Sequence, residues 1–380
     1  MRAYEIHEKI SKEMIKKTTI LILFALLNLH SLLGQETNSD LFTFVVLNIT
    51  PDARSHSLGN TVAIGDQWNS GYWNPAGVGF TRGMALQYDN VGYFAGISSH
   101  NWTAGYTHKK FGSLAFTYRR VSFGSIKKTT EEFPEGGIGS YEPHDDVIAL
   151  NYAFKIFDMV SFGVTIKRFS SQIDKISAEA TLYDLGVMAK VPIGRVLGCN
   201  NILYIGTSTG NNLIGSNPKY HGNGSLVIDS QNVFFSFTSI AFLVERNYRM
   251  GIGHGFSYTN KNILNGSAEV FEIVNHFSYQ DFSTANVFVS DHSYKSGREE
   301  LIFGTEINML EIASVRFSSK NFIRGNGKVW GERYGFGIQL PSRLFMKSHY
   351  EITPKFEYSE QRMGALGDIN RWSFGIDVKL

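Results

Sequence analysis

The densest run of acid–base residues in the chain is His144-Asp145-Asp146. A base beside two carboxylates could move a proton or surround a divalent ion. Either use needs the side chains to converge, and adjacent residues of a strand point to opposite faces. The run leads straight into Val147-Ile148-Ala149-Leu150-Asn151-Tyr152, which alternates as a strand does. His144 and Asp145 are therefore expected at a loop-to-strand junction with no shared target. The eleven histidines are scattered, with no His-x-x-x-His pair and no Cys-x-x-Cys. The single cysteine, Cys199, has no partner for an internal disulfide. Gly251-Ile252-Gly253-His254-Gly255 resembles a nucleotide loop, but strand alternation with glycine on one face accounts for it better. No catalytic residue, cofactor or metal site is expected.

A second polar group lies ahead of the alternating part of the chain. Between residues 35 and 83 come Pro51-Asp52-Ala53-Arg54-Ser55, then Leu58-Gly59-Asn60, then Tyr72-Trp73-Asn74-Pro75-Ala76. Asn74-Pro75 is a turn-former, because proline fixes φ and keeps the preceding residue out of the helical region. Asp52 and Arg54 would be costly against lipid and suit a polar lumen, paired with each other or with wall residues. The segment is expected to plug a barrel whose wall starts at residue 84.

The elements that must position these residues are strands. Leu114, Phe116 and Tyr118 oppose Ser113, Ala115, Thr117 and Arg119, and Ile148, Leu150, Tyr152 and Phe154 oppose Ala149, Asn151 and Ala153. The same period of two recurs at 162–167, 183–188, 251–258 and 333–340, and again at Trp372, Phe374, Ile376, Val378 and Leu380. Glycine at 38, proline at 8 and 14% aromatics suit many strands with small inward residues. A net charge of +2 gives no reason to expect a nucleic-acid partner. Short turns are expected at Lys109–Gly112 and Lys155–Asp158, and longer links at Gly124–Asp145, Ser170–Glu179 and Asn211–Ser225, the last with a turn at Asn223-Gly224. Ile20–Leu27 is apolar but too short to span a bilayer as a helix; with Lys16 and Lys17 before it and Gly34 after it, it reads as an export signal. The organisation predicted is a signal over 1–34, its start at Met1 or Met14, a plug over 35–83, and a barrel over 84–380. The fold class is all-β, a transmembrane antiparallel barrel of roughly fourteen strands in the outer membrane.

The motif residues Pro51, Asp52, Ala53, Arg54, Gly59, Trp73, Asn74, Pro75 and Ala76 resemble those of the PorV/PorQ family, a branch of the FadL-like outer-membrane barrels. Pro143–Tyr152 is similar to that family's fourth strand. Two features depart from the family: His56 stands where small residues are usual, pointing to a divergent paralogue, and the chain ends on Leu380 where insertion signals prefer an aromatic. The resemblance implies a non-enzymatic subunit of the type IX secretion system. Its partners would be a large translocon barrel, secreted proteins with C-terminal signal domains, and outer-membrane lipid. The FadL side of the resemblance implies the alternative, a transporter of hydrophobic small molecules. For a protein partner the candidate surface is the loop Ser125–Asp145, with Lys127, Lys128, Phe133 and Tyr141; a smaller candidate is Asn321–Lys328.

Overall fold

The structure, a computed structural model, describes residues 42–43, 45–60, 62–129, 131, 133–137, 139–156, 158–228, 231–239, 243–263, 266–284, 297–324, 332–345, 350–362 and 367–379. The expected signal over 1–34, with either start, and the terminal Leu380 lie outside those residues, as do positions 325–328 of the smaller candidate patch.

Fourteen strands form one antiparallel wall. In chain order they are β1 Met84–Gly92, β2 Ser98–His108, β3 Gly112–Ser122, β4 His144–Ile156, β5 Val160–Ile173, β6 Ile176–Val196 and β7 Cys199–Ile214. They continue as β8 Leu243–Ile263, β9 Gly266–Thr284, β10 Gly297–Met309, β11 Ala313–Arg324, β12 Arg333–Gln339, β13 Glu351–Arg362 and β14 Asp368–Lys379. Each pairs with its sequence neighbour, and β14 closes on β1 with Trp372 opposite Asn90 and Phe374 opposite Tyr88.

The wall is inside-out relative to a soluble sandwich. Leu86, Trp102, Phe116, Leu150, Ile166, Ile252, Phe303, Val315 and Phe374 all face outward and are about half exposed. Asp89, Asn101, Arg119, Asn151, Lys167, Asp184, Arg249, Glu306, Arg316 and Arg371 face inward and are buried. An apolar belt of this kind is unfavourable against water at about 25 cal/mol per Å². Against acyl chains it is the face a spanning strand requires, and closure pairs the outermost strands, whose edges would otherwise lie open in lipid.

At one end the links are short. Both Leu310 and Glu311 adopt positive φ, as do Leu197 and Gly198, giving tight hairpin turns. The chain also enters β1 and leaves β14 at this end. The other end carries the long links, including a small hairpin of Ile126–Lys127 with Ser140–Tyr141, and a larger one of His221–Ile228 with Gln231–Thr238.

Two expected links are different in the structure. β5 and β6 continue to Ile173 and from Ile176, so Ser170–Glu179 is a hairpin tip closed by Asp174 (φ 50°) and Lys175. Ser170, Ser171, Gln172 and Ser177 interrupt the apolar periodicity there and hide the alternation. β7 likewise runs to Ile214, and Asn223-Gly224 lies within a paired strand, opposite Ser236 and Phe235. Cross-strand pairing there overrides the local turn preference.

Candidate functional site

The interior is occupied by residues 45–80. Phe42–Thr43 pairs in parallel with Leu243–Val244 at the long-link end, and the chain then descends through the lumen to Gly83. Its turns follow from sequence. Asp52 caps the helix α1, Ala53–Ser57, by accepting from the Ser55 amide at 2.7 Å. Pro75 opens the 3₁₀ turn Pro75–Phe80, and Asn74 caps it by accepting from the Ala76 amide at 3.1 Å.

The wall satisfies this segment's backbone. Arg119 of β3 donates through Nη1 to the carbonyls of Val46 (3.1 Å) and Ile49 (2.7 Å) and to the Tyr72 hydroxyl (2.9 Å). Ser208 of β7 donates to the Trp73 carbonyl at 2.7 Å, and the Arg249 guanidinium lies 4.8 Å from the Trp73 ring centre. Asn74 donates to the carbonyls of Val62 (2.8 Å) and Val187 (3.1 Å). Gly163 and Gly186 make room for this turn: a Cβ on Gly163 would stand 2.2 Å from the Pro75 carbonyl carbon. Gly59 has φ +74° and ends α1 against Ile302.

Arg54 does not pair with Asp52. Its guanidinium forks onto Glu306 of β10, with Nε–Oε1 at 2.9 Å and Nη2–Oε2 at 2.6 Å, and Nη1 reaches Asp66 at 3.3 Å. Asp66 in turn meets Lys190 of β6 at 2.7 Å, while Glu306 also binds Arg316 of β11 at 2.6 Å, and Arg316 reaches Glu357 of β13. One chain of ion pairs thus crosses the lumen from β6 to β13 through Arg54. Burial acts to raise the Asp66 carboxyl, but Lys190 and then Arg54 outweigh it and hold it well below the usual carboxylate range. Asp52 has no such partner, and burial pushes its carboxyl up. Below this bridge, toward the short-turn end, a cavity of about 450 Å³ is lined by Arg54, Asp66, Arg82, Glu272, Glu311, Lys355 and Asp377 among others. Charged groups dominate its lining, with Trp68, Phe80 and Ile338 as apolar exceptions.

The other half of the lumen is chemically different. Val121, Val147, Phe169, Ala178, Ala180 and Leu182 face inward from β3 to β6 and pack with Val46, Leu47, Tyr220 and Val244. This apolar chamber lies against a break in the wall. On β7 the two residues Gly210 and Asn211 stand opposite Asp184 alone, a bulge in which Asn211 takes φ 58° and donates its amide to Asp184 at 2.8 Å. β7 and β8 pair only from Asn200–Ser257 to Gly210–Asn247. Beyond that point, among the described residues, the β8 edge at Leu243–Val244 is paired on the β7 side by Phe42–Thr43 instead. Asn48 pins the lower end of this seam, accepting from Asn211 (3.0 Å) and Asn247 (2.9 Å).

No protein-family model matches this chain, and no curated protein matches it. Solved structures do. The CymD monoaromatic hydrocarbon channel aligns at 8% identity and TM-score 0.45 over 89% of this chain and 98% of its own. The Ralstonia pickettii toluene transporter TbuX aligns at 11% and 0.46 over 87% and 97%. A Pseudomonas aeruginosa FadL homologue aligns at 10% and 0.42 over 90% and 99%. Superpositions this loose assign no family or ligand, and the closed wall with its apolar exterior and charged interior decides the matter by itself. This is an outer-membrane β-barrel.

The remaining sequence candidates are dispersed. His144 and Asp145 do point apart: Asp145 is buried in the lumen, whereas Asp146 faces out and forks onto Arg120 at 2.7 and 2.8 Å. Lys127, Lys128, Phe133 and Tyr141 gather on the small outer hairpin, where Lys128 bonds Asp174 at 2.8 Å and lies 5.9 Å from the Tyr141 ring centre. Phe133 is exposed. The expectation from sequence that no Gly-x-Ser-x-Gly is present is wrong: Gly206-Thr207-Ser208-Thr209-Gly210 has that spacing of a hydrolase nucleophile. It lies within β7, with no turn into a helix, and Ser208 is committed to Trp73. The seam was also missed. Its sequence signal would have been Asn211-Asn212 breaking the alternation of β7.

Proposed function

We propose that the protein is a non-enzymatic conduit through which small hydrophobic molecules enter at the outer mouth and leave sideways between β7 and β8. The observation that carries this is the apolar chamber ending at a seam where, among the described residues, Phe42–Thr43 pairs with β8 in place of β7. Val46 and Leu47 fill the chamber, so they move aside together with Phe42–Thr43. The cavity below is lined mainly by charged and polar groups, a poorer path for an apolar ligand than the seam, which favours the lateral exit.

The test is to lock Phe42–Thr43 onto β8. In a Cys199→Ser background, Thr43→Cys with Val244→Cys joins register partners. Uptake of a labelled monocyclic aromatic is followed across vesicles with a lipopolysaccharide outer leaflet. Oxidation should lower uptake at least tenfold and a reductant should restore it. Equal uptake by the locked and reduced proteins would remove the lateral route.

The outer hairpin favours a second reading, the secretion subunit implied by the motif resemblance. Its exposed Phe133 and Lys127 form the kind of aromatic, charged contact that holds a protein partner. Purification in mild detergent from its own membrane should then recover a very large barrel or secreted proteins with a shared C-terminal domain, and deleting residues 125–143 should abolish that recovery. Recovery of the protein alone counts against this reading and leaves the conduit standing.

A further inference from the structure

On the wall opposite the apolar chamber, the outer half of the lumen holds cations that its own acids leave unanswered. Arg333 opens β12 at 7% exposure, and its Nε and Nη1 have no hydrogen-bond partner among the described residues. Arg371 lies two strands away on β14 at 4% exposure. It donates through Nε to the Thr50 carbonyl (3.3 Å) and through Nη2 to the Tyr93 hydroxyl (3.1 Å), and its Nη1 has no partner. β13 stands between them, with Gln361 opposite Arg333 and Ser359 opposite Arg371. Strands lie about 4.8 Å apart and the two positions are offset by two residues along β13, so the arginines start about 12 Å from each other, within mutual reach of their long side chains. His56 meets both intervening residues, at 2.9 Å to Gln361 and 3.1 Å to Ser359. Its imidazole is held well below the ordinary value, first by burial and then by the charges of Arg371 and Arg333, so both guanidiniums act on one point.

The nearby carboxylates are engaged elsewhere. Glu300 acts on Arg333 through space, but its ion pair is with Lys320 at 2.5 Å, and Lys320 adds a third cation near His56. Asp52 accepts from the Ser55 amide and Gln67, and Asp89 from Asn69, Gln87 and Asn101. No ion pair to Arg333 or Arg371 is present among the described residues. A buried guanidinium donor without an acceptor is costly, and its planar fork matches the oxygens of a carboxylate or phosphate.

We propose that Arg333 and Arg371 form an oxyanion site in the outer half of the lumen, taking a free phosphate or carboxylate ion or the anionic end of a larger amphiphile. Tyr93, half-buried in the link after β1, borders it through Arg371. His56 occupies the Gln361 Oε1 and the Ser359 hydroxyl, while the Gln361 amide NH2 stands between the two arginines as a further donor. The site is independent of the lateral route and stands whether or not that route exists.

The test uses the full-length protein in detergent, titrated by calorimetry with inorganic phosphate, acetate and hexanoate at ionic strength matched with potassium chloride. At least one anion should bind saturably, and Arg333→Gln and Arg371→Gln should each weaken it at least tenfold. The exposed, outward Arg168→Gln should leave binding unchanged. Hexanoate binding tenfold tighter than acetate assigns the site to the head of an amphiphile, whereas phosphate binding with equal, weaker acetate and hexanoate assigns it to a free ion. Absence of saturable binding in the wild type, or undiminished binding in Arg333→Gln, overturns the proposal. If Arg333→Gln does not reach the heat-resistant folded form, Arg333→Lys replaces it: loss of the planar fork should still weaken binding, and unchanged affinity overturns the site.

Discussion

His56 is buried as a neutral ring whose two nitrogens are both used, by Ser359 and Gln361. Its folded-state value lies well below the ordinary 6.5, chiefly through burial and secondarily through Arg371 and Arg333. Above pH 6.5 the ring is neutral in both folded and unfolded chains and contributes no pH dependence. Below 6.5 the unfolded chain takes up a proton that the folded chain refuses, so stability falls as pH falls, by up to about 1.4 kcal/mol per unit. Over pH 6.5 to 4.5 the wild type should therefore lose up to about 2 kcal/mol more than His56→Gln. Urea midpoints of the barrel in lipid vesicles measure this difference, and parallel pH slopes for the two proteins would show that the ring is not held neutral. The residue that departs most from the resembled motif is thus the one that senses the two arginines, a role its sequence neighbours Ser55 and Ser57 do not disclose.

At the scale of elements, the inner segment and the wall fit each other at a few glycines. Gly163 has ordinary extended backbone, so alanine suits the strand itself, yet its Cβ would come within 2.4 Å of the Ala76 amide nitrogen. Gly163→Ala should leave the barrel closed and drive the Asn74-Pro75 turn off the wall. Amide exchange over residues 71–78 should speed up at least tenfold, while Gly92→Ala, with open space around it, changes nothing. Unaltered exchange in Gly163→Ala would mean that the turn yields without detaching. The wall itself was legible from sequence, because lipid demands an apolar residue at every second position and Leu114, Phe116, Ile148 and Leu150 declare it. The strand ends of β5, β6 and β7 were not, because Ser170, Ser171, Gln172, Ser177 and Asn211-Asn212 interrupt that period there. Arg54 was legible as an inward charge, but its partner Glu306 lies far along the chain and is fixed only by barrel closure. The seam was least legible of all. It depends on which strand Phe42–Thr43 meets, and that pairing spans about two hundred residues of sequence and is fixed only by closure of the barrel.

Taken whole, the molecule is a wide barrel that has filled itself. A fourteen-stranded wall leaves more interior than its own inward side chains occupy, since about eight strands already suffice to enclose a core. The excess is taken by residues 45–80, held by Arg119, Ser208, Asn74 and the ion-pair bridge through Arg54. The bridge lies between the apolar chamber and the charged cavity, so water-soluble solutes meet a closed lumen from either end. Proteoliposomes of the wild type should therefore not swell in isosmotic arabinose, whereas removing residues 45–80 should open a pore and make them swell at a rate comparable to a general porin. Arg54→Ala falls between these extremes: Glu306 keeps Arg316, so the wall stays satisfied while the segment loses its fork, and swelling should be slow but measurable. Rapid swelling of the wild type would show that the inner segment does not seal the lumen, and both the lateral route and the motif-based carrier reading would lose the closed barrel they require.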